Sequence, residues 1–362
     1  MKLLLLTRYG RLGSTSRVRF YQYLPYLQVY GVEVTVCPLL EDEYLQNLYA
    51  GKHQSLSFLA QSYLNRLHAL LGSRAYDLIW LEKESLPWLP AWIENAFPRA
   101  PIIADYDDAV FHRYDQHPNP LVRWILGQKI DAVMRRAALV VAGSEYLAAR
   151  ARQAGAQQIE ILPSVVDVER YQPAKWGGRR TGVRWKSTPL RIGWIGAPVT
   201  APYLQLIQPA LAEVCANGNA VLTQVGGGNV TLAGILLENR PWSEDAEVAE
   251  IQRFDIGIMP LPDEPFERGK CGYKLIQYMA CGLPAIATPI GANKKIIEHG
   301  VNGFHATTTA EWVNALTTLR DNPELRAKMG AAGRAKVEAG YSLQFTAPKL
   351  LNLLVTTQAK PW

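Results

Sequence analysis

At 362 residues the chain is too long for one ordinary domain and comfortable for two, and its 48% hydrophobic and 19% charged residues are those of a globular protein. No apolar run reaches the ~18 residues of a membrane-spanning helix, and the short run Lys2–Leu6 is read as a first buried strand rather than a leader. Of the formal net charge of +6, most sits between residues 164 and 191, where seven Lys and Arg against Asp167 and Glu169 leave +5. That concentration leaves no distributed basic face of the kind that tracks nucleic acid. The basic segment itself suits either a solvated linker or an anionic membrane surface.

Four cysteines (Cys37, Cys215, Cys271, Cys281) stand far apart without metal-like spacing. They are expected to be free thiols in a reducing, cytoplasmic compartment.

In chain order, Lys2–Thr7 reads as a strand, followed by a glycine- and hydroxyl-rich loop with four arginines, Arg8 to Arg19. A helix is expected from Phe20 through Leu27, and a strand over Val32–Val36. Gly10 and Gly13 do not make the G-x-G-x-x-G fingerprint, so no nicotinamide cofactor is inferred. Residues 41–71 are helical in pattern, Tyr76–Glu82 is a strand, and Pro101–Ala104 is a strand ending in Asp105-Tyr-Asp-Asp108. A helix at Ile130–Ala138 and strands at Leu139–Ala142 and Ile159–Pro163 complete the first half. Residues 164–189, punctuated by Pro173, Gly177, Gly178, Gly182 and Pro189, read as a linker.

The second half opens with a strand at Leu190–Gly196 and a loop over Ala197–Tyr203. Strands are expected at Ala220–Val225 and Ile235–Asn239, and a helix capped by Ser243. Asp255–Pro262 is a buried strand, and straight after it comes Arg268-Gly-Lys-Cys-Gly-Tyr-Lys274. Three cations (Arg268, Lys270, Lys274), two glycines (Gly269, Gly272) and a helix amino end beginning at Tyr273 form an anion site, most naturally for a diphosphate. Such loops lie at the carboxyl ends of strands, where open α/β sheets bind ligands. Helices are expected at Ala310–Leu319, Pro323–Ala339 and Leu343–Thr356.

The run Lys274-Leu-Ile-Gln-Tyr-Met-Ala-Cys-Gly-Leu-Pro-Ala-Ile-Ala287, with Glu298-His-Gly-Val-Asn-Gly-Phe304 behind it, resembles the carboxyl-terminal domain of the retaining family 4 glycosyltransferases. The resemblance is strong from about Ile192 to Tyr341 and weaker before it. It implies the GT-B fold, two Rossmann-like α/β domains facing each other across a cleft. It also implies a nucleoside-diphosphate-sugar donor, a carbohydrate or lipid-linked acceptor, no metal and no cofactor.

The implied domains are 1–163 on the acceptor side, a linker at 164–189, a nucleotide-sugar domain at 190–340, and a final helix in 341–362 crossing back to the first. The implied chemistry is transfer with retention, the leaving diphosphate taking the acceptor's proton, in the synthesis of a cell-surface polysaccharide or glycolipid. Arg268 and Lys274 then stabilise the departing phosphate. Gly196 amides and Thr200 contact phosphate, and Trp242 either stacks on the base or belongs to the core. Arg17 and Arg19 face a phosphate or acidic acceptor or are ordinary surface arginines. The acidic position after the fourth strand takes the place of a family histidine, with Asp107, Asp108 and His112 as its holders.

The chain departs from the family at two places. The usual pair of glutamates eight apart falls on Gly269 and Gln277, leaving an amide to meet a ribose hydroxyl and Glu267 as the nearest carboxylate. The loop after Ile195 lacks the family's usual cation. These departures keep two other readings open. One is a nucleotide-sugar-binding protein without turnover. The other is a GT-B epimerase, for which the second domain offers only His299 and His305.

Overall fold

The computed structural model describes residues 1–174, 189–228 and 230–359. Most of the expected basic linker, residues 175–188, lies outside them.

The chain divides into two compact units. The first comprises Met1–Ser164, Arg268–Cys271 and the chain from Thr346 onward; the second comprises Val165–Glu267 and Gly272–Phe345. Each holds one six-stranded, fully parallel sheet.

In the first unit the strands are β1 (Lys2–Tyr9), β2 (Glu33–Leu40), β3 (Leu78–Glu82), β4 (Ile102–Tyr106), β5 (Leu139–Ala142) and β6 (Ile159–Ile161), in the order β2-β1-β3-β4-β5-β6. β3, β4 and β5 are buried at every residue. A parallel sheet covered by helices on both faces requires such continuous apolar strands, which is why these segments carry no polar alternation.

The second unit has β7 (Leu190–Ile195), β8 (Ala220–Val225), β9 (Leu237–Arg240), β10 (Ile256–Met259), β11 (Ala285–Ala287) and β12 (Gly303–His305), in the order β12-β11-β10-β7-β8-β9. Its core gathers Trp194, Leu222, Ile258, Ile286 and Trp312 on one side, and Phe254, Leu275, Tyr278 and Met279 on the other. Gly193 and Gly257 admit this packing: a Cβ at either would lie about 2 Å from the ring of Phe254 or Tyr278.

Several local expectations change. The helix expected from Phe20 begins earlier, at Ser14–Arg19, breaks at Phe20, and resumes at Leu24–Val29. Residues 41–71 form two helices, Asp42–Tyr49 and Leu56–Leu71, separated where Gly51 takes a left-handed φ of 68°. The loop expected after β7 is a 3-10 helix, Pro198–Ile207, started by its own proline. β9 starts two residues late, at Leu237. The described start of the expected linker packs into the second unit, where Val166 bridges to Ser342 and Tyr171 is buried.

Candidate functional site

In the second unit, the carboxyl ends of β7 and β8 bring three expected residues together, Gly196, Trp242 and Lys274. Gly196 follows β7, and its amide donates to the Val225 carbonyl at 3.0 Å, so this amide continues the ladder with β8. A Cβ on Gly196 would stand 2.7 Å from Lys274 Cε and from the Trp194 ring. Glycine is what lets the Lys274 stem pass over β7. The Lys274 ammonium lies 5.3 Å from the Trp194 ring centroid, within cation–π range. Across from it Gly226, at φ 78°, would meet the Gly196 carbonyl at 2.6 Å and Trp242 Cβ at 2.9 Å if it carried a side chain. Gly196, Gly226, Trp242 and Lys274 therefore share one small space. Thr200 turns inward: its amide and its hydroxyl both donate to the Ala197 carbonyl, at 3.0 and 3.1 Å.

Helix Tyr273–Ala280 starts from Gly272, whose φ of 67° and contacts to Ile296 and Asn293 exclude any side chain. Gln277 lies on the buried face of this helix at 3% exposure, and its amide donates to the Tyr171 hydroxyl at 3.0 Å. Tyr171 in turn donates to Glu247, which also accepts from the Trp242 indole at 2.9 Å. Glu247 is itself buried. Burial, Tyr273 and this carboxylate hold the Tyr171 hydroxyl well above its ordinary range. Gln277, Tyr171, Glu247 and the half-buried Trp242 thus form a continuous hydrogen-bonded relay that fixes how the Trp242 ring stands. Glu267, the nearest alternative carboxylate, is buried and accepts from Tyr203 at 2.5 Å.

The first unit holds a separate ionic cluster at the carboxyl ends of β1, β3 and β4. Lys83 follows β3 in a left-handed conformation, φ 61°, unusual for a lysine. Its ammonium is 2.7 Å from Asp107 and 3.3 Å from Asp108. Thr15 donates to the other Asp107 oxygen at 2.8 Å. Burial alone would raise the Asp108 carboxyl, but Lys83 and Lys270 hold it down at about 2. The Lys270 ammonium is 3.8 Å from Asp108.

Arg268 is exposed, and its charge acts on the Tyr146 hydroxyl. Arg268 and Lys270 group with the first unit, whereas Lys274 groups with the second. His112 is held between Asp115 at 2.8 Å and Tyr146 at 2.9 Å. Gly269, at the first family carboxylate position, packs directly on Ala109: a Cβ there would be 2.5 Å from the alanine Cβ and 2.7 Å from its backbone nitrogen. The position has no room for a side chain of any kind.

Two arginine expectations fail on burial. Arg19 is buried and grips one oxygen of Asp105 through Nε and Nη2, at 2.9 and 2.7 Å, and the Leu162 carbonyl at 2.7 Å. It is a structural ion pair rather than a ligand contact. Burial pushes the Asp105 carboxyl up to about 6 against the pull of Arg19. Arg17, also buried, donates to the Arg11 and Leu12 carbonyls and braces the loop before it.

Lys83, Tyr171 and Glu247 were not singled out from sequence. Lys83 alone left a cue, a lysine immediately after a buried strand, Leu78–Glu82. Among the described residues no three His, Cys, Asp or Glu side chains converge as a metal site, and no helix is long and apolar enough to cross a membrane.

Residues 191–322 match the family model described as glycosyl transferases group 1. The chain is 34% identical over 94 residues to the D-inositol 3-phosphate glycosyltransferase of Pseudarthrobacter chlorophenolicus, covering 24% of this chain and 20% of that protein. It is 29% identical over 220 residues to the GDP-mannose-dependent monoacylated alpha-(1-6)-phosphatidylinositol monomannoside mannosyltransferase of Corynebacterium glutamicum, covering 54% and 55%. These matches span between a fifth and about half of the relatives' lengths. HepE of Anabaena, solved with UDP-glucose, superposes with a TM-score of 0.72 at 18% identity over 98% of this chain and 100% of that one. With two Rossmann-like units and this structural likeness, the chain has the GT-B fold, and its residues 191–322 are similar to the group 1 glycosyl transferases.

Proposed function

We propose that the protein transfers a sugar from a nucleoside-diphosphate donor to a hydroxyl of a carbohydrate or lipid-linked acceptor, with retention and without a metal, in the synthesis of a surface polysaccharide or glycolipid. The observation that carries the reading is the Lys274 ammonium held beside Trp194 at the end of β7, next to Gly196, Gly226 and Trp242. Such a cation, in the first turn of its helix, meets a diphosphate at the end of the sheet where α/β proteins bind nucleotides. Trp242 offers its ring to the base, and the Gln277 relay holds that ring in place.

In this reading the reaction needs no protein nucleophile. The bond from the anomeric carbon to the diphosphate breaks as the acceptor oxygen bonds to the same face, and the released phosphate takes the acceptor's proton. Lys274 stabilises charge growing on the phosphate, a role whose loss typically lowers the rate by roughly 10²–10³. Asp107, fixed by Lys83 and Thr15, orients the acceptor hydroxyl. UDP-glucose, bound in the HepE structure, and GDP-mannose, named for the Corynebacterium relative, are the first donors to try.

A donor-binding protein without turnover is the second reading, favoured by the absence of space for a carboxylate at Gly269. The deciding experiment incubates the full chain with each donor and a panel of glycan and lipid-linked acceptors, following nucleoside diphosphate release. The anomeric configuration of any product is read by NMR. Release tied to an acceptor, with α-donor giving α-product, supports transfer with retention. Inverted product would overturn retention, and binding with no release across the panel favours the second reading.

A further inference from the structure

Helix Pro120–Leu126 in the first unit turns an apolar stripe outward. Leu121, Trp124 and Ile125 stand at the i, i+3, i+4 spacing of one helix face, and Trp124 is 82% exposed. Two more exposed tryptophans lie in the stretch after β3: Trp88, in a left-handed conformation at φ 63°, and Trp92 at 74% exposure. Trp88 connects the two segments, its ring 5.3 Å from Tyr114 and 5.8 Å from His117. Arg123 then ties the helix back by donating to the His117 and Pro118 carbonyls at 2.6 and 3.0 Å. Solvent-facing tryptophans such as Trp88, Trp92 and Trp124 are unfavourable in water where they join an apolar patch that nothing covers.

The charges in this stretch say what covers them. Between residues 84 and 126 the exposed ionisable side chains are Arg99, Arg113 and Arg123; every carboxylate there is buried or half-buried. Glu84 and Glu94 are turned inward onto the buried Lys129 ammonium, at 2.7 and 3.1 Å, and Asp115 pairs with Arg150 at 3.0 Å. The helix therefore exposes leucine, tryptophan and isoleucine beside Arg123, and the stretch around it exposes no carboxylate. Tryptophan is the residue of the lipid–water interface, and arginine is attracted by anionic headgroups.

We propose that the Trp88, Trp92, Leu121, Trp124 and Ile125 surface of the first unit docks on an anionic bilayer. The buried Glu84–Lys129–Glu94 group, with Tyr114 donating to Glu84 at 2.7 Å, keeps the Trp88 segment in shape, so the surface is formed before it meets lipid. The proposal deepens the reading above, because docking would bring a lipid-linked acceptor to the same unit that holds Asp107. It needs no donor, so its failure and that of the transferase reading are separable.

The test is co-sedimentation of the full chain with phosphatidylglycerol-containing and pure phosphatidylcholine vesicles at several salt concentrations. Binding is expected on the anionic vesicles and is expected to weaken with salt. Trp124→Ser should lower the partition coefficient by about tenfold, from the apolar area lost. Arg123→Glu should lower it by at least about fivefold, in step with the lost lipid attraction of one arginine. Both side chains are exposed, and unchanged circular dichroism and melting temperature would confirm that the variants fold.

Absence of binding to anionic vesicles overturns the proposal. So does binding that Trp124→Ser and Trp92→Ser leave intact but that neutralising Lys175, Arg179 and Arg180 abolishes, since the basic segment would then carry it. Concentration-dependent self-association lost in Trp124→Ser, without vesicle binding, would assign the surface to a second copy of the chain instead.

Discussion

Substituting Gly269 separates a missing side chain from an excluded one. The position corresponds to the first of two glutamates usual in the family, and restoring the carboxylate would be the obvious repair of a weakened site. The packing argues against it. Gly269 does not have a left-handed φ, so alanine is permitted by the backbone and any penalty is steric. The added Cβ would be 2.5 Å from Ala109 Cβ and 2.7 Å from its backbone nitrogen, and a backbone atom cannot swing aside. Overpacking of this kind costs about 1–3 kcal/mol. Alanine recovers about 0.4–1 kcal/mol by restricting the unfolded chain. A net loss of about 1–2 kcal/mol follows, or roughly 2–8 °C in Tm for a unit of 150–250 residues. Gly269→Glu should lose at least as much as Gly269→Ala, and nucleotide release should fall in both. Scanning calorimetry and donor turnover on the pair decide the matter. Unchanged melting in Gly269→Ala, or faster turnover in Gly269→Glu, would refute the steric account.

Two further outcomes follow from the ionic clusters. Asp105→Asn strips the buried Arg19 guanidinium of its carboxylate partner, and an uncompensated buried charge of this kind destabilises by about 3–5 kcal/mol in denaturant unfolding. A loss under about 1 kcal/mol would mean that the Leu162 carbonyl suffices. Lys83→Met releases the Asp108 carboxyl from its larger cationic neighbour, so it should titrate well above about 2 when followed by carboxyl-carbon NMR. A carboxylate depressed in the folded state supplies stability that is present above its unfolded pKa and lost as pH falls through the folded one. In the wild-type protein that loss, roughly 2 kcal/mol, therefore falls between about pH 4 and pH 2. The variant should give it up at higher pH, and an unshifted acid-unfolding curve would show that Lys83 does not govern Asp108.

The sheets were largely legible from the sequence because parallel strands must be continuously apolar. The runs at Leu3–Leu6, Leu78–Leu81, Ile102–Ala104, Leu139–Ala142, Ile192–Ile195 and Ile256–Met259 announce themselves without any tertiary information. Boundaries slipped where local chemistry intervened. A proline turned the Ala197–Tyr203 loop into a 3-10 helix, and Gly51 parted one long helical pattern into two.

The site was legible in part. Gly272 and Lys274 could be read from a glycine and a cation at a strand-to-helix junction. Arg19 could not, since its meaning depends on Asp105, 86 residues away. The Tyr171–Glu247 contact spans 76 residues, so no local pattern announces it. Lys83 escaped because its distinguishing features, a left-handed backbone and two aspartate partners some 25 residues later, exist only in the folded chain.

The measurement that bears most directly on the central claim is calorimetric titration of the full chain with UDP, GDP, ADP and dTDP, with and without EDTA, for the wild type and Lys274→Ala. The account predicts that one of the four binds, that EDTA leaves the affinity unchanged, and that Lys274→Ala weakens it by at least tenfold, the loss of about 1.4 kcal/mol of charge-assisted contact. Binding of none, or binding that Lys274→Ala leaves untouched, would contradict a diphosphate site at the end of β7.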